Sequence, residues 1–118
     1  MNKKITEQEN NSKNAVLFFG TTTQSAEEAL DILKEKGFNF DAIQIKSFPF
    51  NDAVKTFIDT HDTVFVIEQN RDAQMRTLLI NELEIHPKKL KKVLNFDGTP
   101  ITANFIVNNI VADLSQLN

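Results

Sequence analysis

Two stretches, AVLFF from Ala15 to Phe19 and TVFVI from Thr63 to Ile67, are apolar at almost every position and too short for helices. A strand with one face in water alternates polar and apolar residues. A strand that is apolar throughout must be covered on both faces, which is the condition inside a parallel sheet flanked by helices. What lies between and after these runs therefore decides the fold, and it is a series of helix patterns.

The run SAEEALDILKEKG has Ser25 and Glu28 at capping-box spacing, Ala26, Ala29, Leu30 and Leu33 on one helical face, and Gly37 as a left-handed stop. FDAIQIKSF alternates Ala42, Gln44 and Lys46 with Ile43 and Ile45, and reads as a strand with one more polar face. Pro49 opens a second helix with Val54, Phe57 and Ile58 on one side. RDAQMRTLLINEL gives a third helix with Met75, Leu78, Leu79 and Leu83 turned inward. KKVLNF is a partly charged strand suited to a sheet edge. Thr102 caps a last helix with Phe105, Ile106, Ile110 and Leu114 in one stripe. Strands alternating with helices predict an α/β fold: a three-layer α/β/α sandwich around a mainly parallel open sheet. Counting from the Ala15 strand, the core order is expected to be 2-1-3-4. Residues 1–13 form a linker or, through KKITEQE, an antiparallel edge strand, and residues 14–118 form one domain.

The strand order reverses between the Ala15 and Thr63 strands. In open α/β sheets ligands and partners are met at such a switch point, outside the carboxyl ends of the strands. The crevice is thus expected between Gly20, Thr21 and Thr22 on one side and Glu68, Gln69 and Asn70 on the other. Known chemistries do not fit it well. GTTTQS is neither a GxGxxG fingerprint nor a phosphate loop, so a capped helix with exposed threonines is its simpler reading. Asp97-Gly98 marks a turn. With Asn108-Asn109 it does not reproduce the spacing of a thiamine–metal motif. Glu27 and Glu28 belong to a first helical turn. His61 and His86 flank element ends and are expected at the surface.

Composition narrows the classes further. The 118 residues include no cysteine, so the chain holds no disulfide, thiolate zinc site or iron–sulfur cluster of its own. A net charge of -3 argues against a nucleic-acid partner, and Lys88, Lys89, Lys91 and Lys92 read as a solvated entry into a strand. The first residues have no apolar core of a signal peptide, and no run approaches the roughly 20 apolar residues of a membrane span. No membrane partner and a cytoplasmic setting are therefore expected.

The residues VFVIEQN, then Gln74 four positions after Asn70, then VLNFDGTPIT, resemble the C-terminal, transketolase C-terminal-like domain of the α subunit of 2-oxoacid:ferredoxin oxidoreductases. Gly20 with Glu28-Ala29 is similar to that family's first strand–helix junction, and Phe48-Pro49-Phe50 to its second. The resemblance runs from Asn14 onward. Gly20, Glu68, Gln69, Asn70, Gln74, Asp97, Gly98 and Pro100 match its motif positions, while Ala73 and Thr99 depart from the Gly and Arg the family often has there. The change at Thr99 speaks against a phosphate held by that loop.

The resemblance implies a part of an enzyme that oxidatively decarboxylates a 2-oxoacid, transfers the acyl group to coenzyme A and reduces ferredoxin. It implies thiamine diphosphate, magnesium and iron–sulfur clusters held by other domains and subunits. The partners are then the remainder of the α subunit, the β subunit and any γ or δ subunit, with ferredoxin met through the complex. A complete α subunit is several times longer, so the chain is expected to correspond to its tail, as a fragment or a split gene product. Two other readings stay open: the equivalent domain of transketolase or of a 2-oxoacid dehydrogenase β subunit, and a stand-alone flavodoxin-like binding module.

Overall fold

A computed structural model of the chain describes residues 5–8, 13–19, 23–45, 52–68, 74–94 and 101–115. Five strands form one sheet: β1 (Ile5–Gln8), β2 (Asn14–Phe19), β3 (Asp41–Ile45), β4 (Thr63–Glu68) and β5 (Leu90–Leu94). Four helices accompany them: α1 (Thr23–Glu35), α2 (Asp52–Asp59), α3 (Gln74–Leu83) and α4 (Ala103–Ser115). The order across the sheet is β1-β3-β2-β4-β5. The strands β3, β2, β4 and β5 are mutually parallel, which is the expected 2-1-3-4 core, and β1 adds antiparallel to β3 at the edge. The two apolar strands β2 and β4 are central neighbours, in register from Asn14 beside Thr63 to Phe18 beside Ile67.

Alternation of side chains divides the core into two halves. Val16, Phe18, Ala42, Phe65, Ile67 and Val93 face α1 and α4, while Ala15, Leu17, Ile43, Ile45, Val64, Val66 and Leu90 face α2 and α3. Every one of these residues is buried, so the apolar runs are apolar because both faces are roofed. On the α1–α4 side Phe40 meets Phe65 edge-on, with ring centroids 5.9 Å apart. The aromatic residues are ten Phe with no Trp or Tyr, so the rings in this core bring no polar atom that needs a partner.

Helix ends follow local chemistry in most places. Gly37 adopts φ +93°, Phe38 N–H donates to Leu33 O at 2.9 Å and Gly37 N–H to Lys34 O at 3.0 Å, the paired bonds of a Schellman stop. Thr102 Oγ1 accepts from Phe105 N–H at 3.1 Å and caps α4 as expected. Pro49, expected to open the second helix, lies outside the described residues, and α2 is described from Asp52.

Three local expectations are corrected. Ser25 does not cap α1, which starts at Thr23; its hydroxyl instead donates to Ile101 O at 2.8 Å and ties α1 to the entry of α4. Leu78 is 38% exposed instead of turned inward. At 100° per residue, the stripe that α3 buries runs through Met75, Leu79 and Leu83 and extends toward Ile80, leaving Leu78 on the far side. Finally, β5 starts at Leu90, one residue earlier than the KKVLNF pattern, because Pro87–Lys89 form a 3₁₀ turn. His86 is exposed, as expected, and its Nδ1 accepts the Lys88 N–H at 3.1 Å at the head of that turn.

Candidate functional site

The four parallel strands end at Phe19, Ile45, Glu68 and Leu94 along one edge of the sheet. From the central pair the chain leaves in opposite senses: β2 leads to α1 on one face and β4 leads to α3 on the other. That divergence is the topological switch point, and Glu68, the last residue of β4, stands on it.

Glu68 is 5% exposed, deep burial for a carboxylate. Its two carboxylate oxygens accept backbone hydrogen bonds across the following segment: Oε1 from Met75 N–H and Oε2 from Arg76 N–H at 3.2 Å. These are first-turn amides of α3, which have no partner within the helix, and the positive end of the helix dipole lies at the same place. Glu68 therefore closes the base of the connection from β4 to α3. Arg76 extends the same anchorage: its Nε donates to Leu90 O and its Nη2 to Pro87 O, each at 2.9 Å. One residue thus joins the start of α3 to the entry of β5. No local motif marks Arg76 for this role; the available signal in the sequence is an arginine in the first turn of a helix that follows a buried acid.

Burial pushes the Glu68 carboxyl above its ordinary value, against the opposing pull of the Met75 and Arg76 amides and of the Arg76 charge. A carboxyl raised in this way takes up its proton more readily in the fold than in the unfolded chain. The stability it contributes is therefore present below pH 4.5, its ordinary value, and is lost as pH rises through the folded value. The variant Glu68→Gln lacks this loss. Chemical denaturation from pH 4 to 7 is expected to show wild type losing stability relative to Glu68→Gln as pH rises. Two parallel stability profiles would contradict it.

Of the other residues singled out in the sequence, at the crevice or by the family resemblance, Gln74 is the first residue of α3. Gly20, Thr21, Thr22, Phe48, Pro49, Phe50, Gln69, Asn70, Asp97, Gly98 and Pro100 lie outside the described residues. The described ends from which those segments depart share one edge, and the register of β2 with β4 sets Phe19 and Glu68 at the same level.

A second polar cluster sits at the opposite edge. His61, expected at the surface, is 6% exposed. Its Nε2 lies 2.5 Å from Asp41 Oδ2, and Asp41, the first residue of β3, is equally buried. Its Nδ1 contacts Phe57 O, and because a carbonyl only accepts, the ring carries a hydrogen there. The ring also leans on Phe57, with centroids 4.5 Å apart. This pair lies beside the amino ends of β3 and β4, remote from the crevice, so it joins the α2–β4 turn to β3 and takes no part in the candidate site. Among the described residues no three His, Asp or Glu side chains converge where they could hold a metal ion. The described residues accordingly offer no ligand set that fits a magnesium–diphosphate site.

No protein-family model matches the chain, and no curated protein sequence matches it. Solved structures do. A 2-oxoglutarate:ferredoxin oxidoreductase from Magnetococcus marinus, solved with 2-oxoglutarate, coenzyme A and succinyl-CoA bound, superposes on 95% of this chain with a TM-score of 0.82 and 24% identity. A split-gene transketolase, an inactive β4 tetramer, superposes on 94% of it with a TM-score of 0.75 and 19% identity. The fold is transketolase C-terminal-like. The α chain of a probable 2-oxoacid ferredoxin oxidoreductase from Thermoplasma acidophilum also matches, over 95% of this chain, with a TM-score of 0.64 and 23% identity. This chain spans 20% of the Magnetococcus chain, 41% of the transketolase chain and 97% of the Thermoplasma chain. No helix among the described residues is long and apolar enough to cross a membrane.

Proposed function

We propose that this chain is the transketolase C-terminal-like domain of the α subunit of a 2-oxoacid:ferredoxin oxidoreductase. In this reading it helps assemble the active complex and does no chemistry by itself. The observation that carries the reading is the agreement of two independent signals. The EQN and DGTPIT runs resemble this family's α subunit, and two chains of such oxidoreductases share the fold over 95% of this one. The likeness to a transketolase supports the neighbouring reading, a domain of another thiamine enzyme, but the two sequence runs favour the oxidoreductase.

The working surface is the carboxyl edge of the sheet. Glu68, which directly precedes Gln69 and Asn70 in the chain, holds the base of the β4–α3 connection by its bonds to Met75 and Arg76. Residues 20–22, 48–50 and 97–100 come after the other three strands in the chain, and in this reading the edge where those strands end is the one offered to the thiamine-binding part of the enzyme. Thiamine diphosphate, magnesium, iron–sulfur clusters and coenzyme A belong to the other domains and subunits, and ferredoxin is reached through the complex. The pure chain, supplied with a 2-oxoacid, thiamine diphosphate, magnesium and coenzyme A, is expected to reduce no viologen dye. Turnover by the pure chain would overturn the non-catalytic assignment.

A further inference from the structure

Away from the crevice, a cavity of about 340 Å³ opens between β5 and the last turns of α4. Phe65 and Val93 form its apolar floor, Asn109 and Asp113 its roof, and Lys91 and Lys92 its outer side. Among the described residues β5 pairs only with β4, and none of them covers its outer backbone edge. Asp113 is poorly served there. Its side chain is 26% exposed and its Oδ1 pairs with Lys91 Nζ at 3.6 Å, beyond hydrogen-bond length, while its Oδ2 is shut off from solvent with no donor among the described residues. A desolvated carboxylate oxygen without a donor is unfavourable and calls for one.

We infer that this edge receives an extended segment from the remaining polypeptide of the enzyme, added to β5 as a sixth strand with a hydrogen-bond-donor side chain directed at Asp113 Oδ2. The inference rests on the reading of the chain as one domain of a larger assembly; the Magnetococcus chain, of which this chain spans 20%, carries further polypeptide of its own, while for a chain like the Thermoplasma α chain, spanned to 97%, the segment would come from another subunit. The geometry fits one occupant. A strand added about 4.8 Å outside β5 turns alternate side chains to the α4 face, and one of them falls into the cavity under Asn109 and Asp113. Lys91 and Lys92 keep the edge from pairing with a second copy of itself, since two such strands would set like charges together.

Hydrogen–deuterium exchange of the chain alone and of the complex purified through a tag on this chain tests the inference. In the complex, amides of Leu90–Leu94 are expected to exchange at least about tenfold more slowly than in the free chain. Asp113→Ala is expected to abolish most of that slowing while leaving the free chain's exchange unchanged elsewhere. Protection confined to segments at the carboxyl edge, with β5 exchanging as in the free chain, would overturn the sixth strand while leaving the subunit reading intact. Recovery of the chain with no other subunit would overturn both.

Discussion

Replacing His61 with Ala is expected to lower the stability of the chain by about 3 kcal/mol, because it takes a close polar contact from a carboxylate that stays buried. The loss has three parts. Asp41 Oδ2 loses its contact with Nε2, Phe57 O loses its contact with Nδ1, and the Phe57 ring loses a neighbour at 4.5 Å. Against a total stability of about 5–15 kcal/mol for a domain, this is a large fraction. Asp41→Ala is expected to act in the same direction, and the double variant to lose less than the sum of the two. The exposed Lys55–Asp59 pair, at 3.0 Å and one helical turn apart, provides the contrast: Asp59→Ala is expected to change stability far less. Unfolding is followed by far-ultraviolet circular dichroism, since the chain has no Trp or Tyr to report by fluorescence. A His61→Ala chain as stable as wild type would show that the pair contributes nothing.

Changing Glu68 to Gln in the assembled complex is expected to lower 2-oxoacid-dependent dye reduction by about tenfold to a hundredfold, the scale on which small misplacements near a reacting centre act. The isolated Glu68→Gln chain is expected to remain folded. Both carboxylate oxygens of Glu68 are occupied, one by Met75 N–H and one by Arg76 N–H. An amide supplies one acceptor and turns a donor toward the second backbone N–H, so the start of α3 and the connection before it must shift. If the carboxylate only capped a helix, the effect would stop at local stability and the complex would work at full rate. Activity loss with the domain intact is the signature of a connection held in place for a partner.

The layers of the fold were legible because the sheet is central. Strands apolar on both faces, as AVLFF and TVFVI are, leave few arrangements other than a parallel core under two helix layers, and Gly37 announced the end of α1 by a conformation that other residues adopt reluctantly. The end of α3 was less visible. There Glu84 takes φ +56° and Ile85 N–H returns to Ile80 O at 3.3 Å, so the same kind of stop is built without glycine. Leu78 shows a related limit: an apolar residue at helical spacing lies beside two possible stripes, and only the tilt of α3 on the sheet selects between them.

At the candidate site, the position of Glu68 followed from strand order alone, and an acid at the end of a buried strand had to find donors. Which donors it found depended on how α3 docks, and so did the role of Arg76, whose partners Pro87 and Leu90 lie 11 and 14 positions away. His61 was misjudged for the same reason. Its partner Asp41 is 20 positions distant, and no local pattern marks a histidine that a neighbouring strand will cover. Long-range partners of single polar residues were thus the part the sequence withheld.

The most direct measurement is viologen reduction by the complex prepared with and without this chain, in the presence of a 2-oxoacid and coenzyme A. The account predicts background activity when the chain is omitted and recovery when the purified chain is added back. Undiminished activity in its absence would contradict it.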